Sequence, residues 1–135
     1  MPGIDELPGS AIVLRDVTDV DAPYEGARVR SAAGQVLLRV DAASFAAEWP
    51  GWAASSDGHV LAPVDIERRV NGHWVLFPLC TETVGGWILR RAHARAPLLG
   101  GEAVTLSVSI VRAAVQLRRA GLGLSGATWW LEESG

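Results

Sequence analysis

At 135 residues and 14.3 kDa, with 49% hydrophobic content, the chain has the size of one domain and enough apolar material for a core without disulfides. A formal net charge of −3 and a pI near 5.5 exclude a nucleic-acid binder. The basic residues closest in sequence, Arg68-Arg69, Arg90-Arg91 and Arg118-Arg119, are isolated pairs that read as solvated ends of elements. All 12 cations are arginine, so Schiff-base chemistry, a lysine general base and a phosphate-loop lysine are excluded too.

After a Pro/Gly-bearing start, the β-branched run from Ser10 to Val17 predicts a strand. An acidic turn through Asp19, Asp21, Pro23 and Gly26 leads to Ala27–Ser31, which alternates apolar with charged. Ala33-Gly34 then separates it from Gln35–Val40, giving a hairpin and a three-stranded meander. Asp41 stands as the N-cap of a short helix over Ala42–Ala47, with Phe45 and Trp49 on one face and Pro50-Gly51 as its stop. His59–Val70 reads as a strand, Asn71-Gly72 as a two-residue turn, and His73–Phe77 as the returning strand.

From Pro78 the period changes. Thr83–Ala94 carries Val84, Trp87, Ile88 and Arg91 at helical spacing before an Ala96-Pro97 break. Glu102–Ala120 is the longest helix candidate. It has one stripe of Val104, Val108, Val111 and Val115 and a second of Leu106, Ile110, Ala113 and Leu117, which predicts burial on most sides. Glu102 in its first turn, Arg118 and Arg119 in its last, and Gly121 after it fit the helix dipole and a C-terminal cap. Ala127–Leu131 closes the chain as a short strand.

The expected fold is therefore α+β: an antiparallel sheet of about five strands with one short helix, then a mainly helical half with a long buried helix. It is read as a single domain over 1–135, sheet-rich over roughly 10–80 and helical, with a short terminal strand, over 81–135. The lone Cys80, the absence of a signal pattern and the broken apolar runs point to a reducing cytoplasm, with no membrane partner. The Ala/Gly/Arg-rich, lysine-free composition points to a GC-rich bacterium.

The order of elements is similar to the start of the protein kinase fold. Val36-Leu37-Leu38-Arg39-Val40 resembles the third kinase strand, with Arg39 where the ATP-binding lysine stands. His59–Asp65 resembles the fourth strand, and Trp74-Val75-Leu76-Phe77-Pro78-Leu79-Cys80 the fifth strand running into the hinge. In that register Gly86–Arg91 is the helix after the hinge, Leu117–Gly121 ends the helix before the catalytic loop, and Trp129-Trp130-Leu131 follows that loop. The resemblance covers roughly residues 35–135, and it implies a degenerate, truncated pseudokinase-like domain. The glycine-rich loop and the lysine are missing, Asp65 is the last aspartate, and Asn71 is the only asparagine. The same resemblance makes Glu48 the helix carboxylate that would pair with Arg39.

No catalytic residue, metal or cofactor is implied. His59 and His73, with Asp57 or Glu67, lack ligand spacing, Cys80 has no assigned histidine, and Ser125 falls short of a nucleophile elbow. Adjacent Trp129 and Trp130 face opposite ways on a strand, so one of them is an interface candidate. The expected role is non-catalytic: binding a protein partner or self-associating. The alternative is a small molecule or nucleotide in a cleft near Arg39, Glu48, Phe77, Leu79 and Cys80.

Overall fold

Alternating apolar residues punctuated by turn residues build the first half of the chain. The computed structural model describes residues 12–17, 22–53, 59–121 and 129–132. It contains strands β1 (Ile12–Val17), β2 (Gly26–Arg30), β3 (Val36–Asp41), β4 (Asp65–Arg69) and β5 (Gly72–Pro78). They pair antiparallel in the order β1-β2-β3-β5-β4, which makes the five-stranded sheet the sequence predicts. A smaller sheet joins β6 (Cys80–Thr83) to β7 (Trp130–Glu132), with helices α1 (Val84–His93) and α2 (Gly100–Arg119) between them in sequence.

Residue alternation divides the sheet into two chemically different faces. On one, Leu38, Val40, Val75 and Phe77 are fully buried or nearly so and join Val17 and Ala22 in the main core. Tyr24, Phe45 and Trp49 pack over them, with ring centroids 4.2 Å apart for Phe45 and Trp49 and 5.2 Å for Tyr24 and Phe77. On the other face, Ala27, Val29, Leu37 and Leu76 form a second buried cluster.

The segment over the main core is not the α-helix expected at 42–47. Asp41 does cap it, accepting from the Ala43 N–H at 2.9 Å, but the chain makes only a 3-10 turn over Ala42–Ser44 and another over Pro50–Ala53. Phe45 is extended (φ −115°), so Phe45, Trp49 and Trp52 gather into an aromatic layer that outweighs the propensity of a six-residue alanine-rich run. Two further boundaries shift. Only Asp65–Arg69 of the run 59–70 is strand, because Pro63 has no N–H for the ladder, although the Val64 N–H still reaches the Leu76 carbonyl at 2.8 Å. The hairpin loop is Val70-Asn71, since Arg69 pairs with Gly72, one residue earlier than the Asn-Gly signal suggests.

The helical half is held at its corner by one side chain. The Arg91 guanidinium donates to the Ala96 carbonyl (2.9 Å), to the Pro97 carbonyl (2.8 Å) and, through both terminal nitrogens, to the Glu102 carboxylate (2.8 and 3.0 Å). Glu102 also accepts the Leu99 N–H at 3.0 Å, so the end of α1, the linker and the first turn of α2 are tied together. Arg90 likewise forms a two-pronged pair with Glu82, so this pair of arginines is engaged rather than merely solvated. Against the sheet half, α2 receives His59: its N–H donates to Gln116 Oε1, and its Nδ1 lies 2.7 Å from Ser109 Oγ.

Candidate functional site

Two regions combine functional side chains with a defined geometry. The first lies on the sheet face opposite the aromatic layer. Cross-strand pairing sets Asp41 beside Trp74 and Trp74 beside Glu67, with Arg39 and Arg69 each two pairs along, in opposite directions, and so on the same face of the sheet. The guanidinium carbons of Arg39 and Arg69 sit 4.3 and 4.4 Å from the Trp74 ring centroid, and Arg69 is bridged to Asp41 at 3.0 Å. Arg39 is only 6% exposed. The guanidinium where the kinase resemblance places a nucleotide-binding cation is therefore stacked on an indole inside a compensated cluster.

Glu48 does not join it. It lies exposed in the turn between the two 3-10 turns, and that segment packs on the Leu38/Val40 face, so the sheet separates Glu48 from Arg39. Phe77, Leu79 and Cys80 are nearly completely covered and present no surface to a ligand. A shallow groove of about 340 Å³ beside edge strand β4, lined by Trp52, Pro63, Val64, Asp65 and Ile66, is mostly apolar and lacks convergent polar groups. His73 is exposed on β5, His93 is exposed at the end of α1, and no group of three potential metal ligands occurs among the described residues. Asp57 and Ser125 lie outside the described residues.

The second region is α2. Its inward side centres on Ala113, the one buried residue of the helix, flanked by half-buried Leu106, Ile110 and Leu117. At about 100° per residue, Val104, Val108, Val111 and Val115 all fall within roughly 40° of the direction opposite Ala113. These four are 43–63% exposed. The sequence predicts both stripes of this helix to be buried; among the described residues only one is covered. The interface candidates Trp129 and Trp130 are both half-buried, Trp130 pairing with Thr83 and Trp129 accepting the Val84 N–H at 3.0 Å, so neither stands out as an exposed anchor.

The two stripes share the same 4-3-4 spacing, Val104-Val108-Val111-Val115 and Leu106-Ile110-Ala113-Leu117, so periodicity does not distinguish the open side from the covered one. No helix among the described residues is long and apolar enough to cross a membrane. No protein-family model matches the chain, and no curated protein or solved structure matches it.

Proposed function

We propose that this chain is a non-catalytic, cytoplasmic binding domain of pseudokinase-like descent, which engages a protein partner or a second copy through the valine face of α2. The observation that carries the reading is a row of four exposed β-branched side chains on the side of α2 opposite Ala113, its one buried residue. The kinase-like part is supported by the succession of meander, excursion, hairpin and two helices. It departs from that pattern where Glu48 and Arg39 occupy opposite faces. The stacking of Arg39 on Trp74 supports a non-catalytic role, since a guanidinium held this way serves packing.

The test is to replace all four valines with glutamine and measure urea unfolding in dilute solution. An open face predicts stability within about 1 kcal/mol of the parent, or slightly above it, because exposed substitutions cost little and glutamine is the better helix former. A loss of several kcal/mol would show that the stripe is core and would remove the reading.

A further inference from the structure

We infer that the β1-β2 end of the main-core face binds a phosphate dianion, free or as the terminal group of a phosphate ester, through Arg15, Arg28 and Arg30. The site is independent of the α2 face. Cross-strand pairing sets Arg15 directly opposite Arg28, and Arg30 follows Arg28 two residues along the same strand. Directly opposed residues have Cβ atoms about 4.5–5.5 Å apart, and residues two along a strand lie about 7 Å apart. Three long guanidinium side chains are thus rooted within reach of one tetrahedral anion.

A β-bulge builds this cluster. Ile12 pairs with Arg30 and Val13 with Val29, so an unbroken register would set Leu14 opposite Arg28, Arg15 opposite Ala27 on the far face, and Asp16 opposite Gly26. The extra residue in β1 instead pairs Arg15 with Arg28, Asp16 with Ala27 and Val17 with Gly26. It carries a cation onto the face of Arg28 and Arg30 and removes a carboxylate from it. The same shift brings Val17 into the main core, so packing holds a register whose electrostatic cost it does not remove.

Among the described residues nothing neutralises the three arginines, and none of them forms an ion pair. Arg28 stands between exposed Arg15 and fully buried Leu38 in the cross-strand row, is itself half-buried, and has its Nε buried without an acceptor. Like charges directly opposed and a desolvated donor left unsatisfied both destabilise the free protein, and a bound dianion relieves both. The guanidinium fork matches phosphate oxygens, and three cations exceed what one carboxylate would neutralise.

Calorimetric titration with inorganic phosphate and, separately, with O-phosphoserine, at constant ionic strength set with sodium chloride, tests the site. Saturable binding is expected, and the tighter of the two ligands tells free phosphate from an ester as the source. Arg15→Gln and Arg30→Gln, both at exposed positions, should each weaken binding about tenfold or more. Arg68→Gln is the control: Arg68 is exposed on the same face but on the opposite edge strand, about 19 Å away, and its loss should leave affinity unchanged. Thermal unfolding without phosphate separates a ligand site from a structural role. Arg15→Gln should unfold at the parent's temperature or above it, because the substitution relieves like-charge repulsion. No saturable binding of either phosphate, equal binding of acetate, an equal loss in Arg68→Gln, or a lowered unfolding temperature for Arg15→Gln would overturn the assignment.

Discussion

Truncating Phe77 to alanine tests how the sheet half is held. Phe77 has no exposed surface, and its ring lies 5.2 Å from Tyr24, 5.8 Å from Phe45 and 6.0 Å from Trp49. It thus joins β5 to every ring that anchors the 42–53 segment except Trp52. Removing a buried phenylalanine costs about 3–5 kcal/mol in lost transfer energy and residual cavity. A chain of this length has a total stability of roughly 7–20 kcal/mol, so a large share would be lost. Trp52 is the control: it contacts Phe45 and Trp49 at the outer edge of the layer, donates its indole N–H to the Ala46 carbonyl at 2.9 Å, and is 37% exposed. Trp52→Ala should cost about 1–2 kcal/mol. Urea unfolding followed by tryptophan fluorescence gives both values by linear extrapolation. Near-UV circular dichroism of folded Phe77→Ala should also show a weakened aromatic signal. A loss below about 1.5 kcal/mol for Phe77→Ala, or equal losses for the two variants, would refute the layered account.

Three further perturbations read other parts of the structure. At Gly26 an added Cβ would fall 2.0 Å from the Arg39 carbonyl oxygen, so Gly26→Ala must push β2 from β3 and should lower the urea midpoint by the equivalent of about 2–3 kcal/mol; an unchanged midpoint would contradict the register. Arg95 closes α1 with φ 53°, and the Ala96 N–H returns to the Arg91 carbonyl, so Arg95→Gly should raise stability by up to about 1 kcal/mol in thermal unfolding, whereas destabilisation would show that the cap is not strained. Hydrogen bonds from Arg91 and then from the Leu99 N–H hold the Glu102 carboxyl below its ordinary value of 4.5. Because the folded-state pKa is the lower one, this contribution is complete above about 4.5 and fades as pH falls through the folded value. Glu102→Gln should therefore flatten the acid-side dependence of helix content in that window; a profile parallel to the parent's would refute the pairing.

The meander and the hairpin were legible because period-2 alternation and turn residues are local signals, whereas the pairing of β3 with β5 that joins them was not. Arg28 and Arg30 alternate with buried Ala27 and Val29, Asp41 and Thr83 mark boundaries through side-chain oxygens that accept nearby N–H groups, and Gly121 does so through its positive φ. What was not legible depends on partners distant in sequence. Ala42–Ala47 has helical propensity, and the extended Phe45 is favoured by rings that include Tyr24, from the bend before β2, and Phe77, from β5. Arg91 finds Glu102 through a linker bend that no spacing rule anticipates. Arg39 is stacked because Trp74 lies two pairs along on the neighbouring strand and on the same face, a register fact rather than a composition fact. The candidate site was half visible. Both stripes of α2 appear in the sequence, but apolar periodicity does not say which stripe the rest of the chain covers.

The openness of the valine face can be read directly from thiol reactivity in dilute solution. Val111→Cys and Ala113→Cys place thiols two residues apart on opposite sides of α2, at positions 60% and 2% exposed in the parent. The first should be labelled at close to the rate of a free thiol, while the second waits for local opening and reacts on the order of 100-fold more slowly. Equal protection of both thiols at concentrations where the protein is monomeric would contradict it.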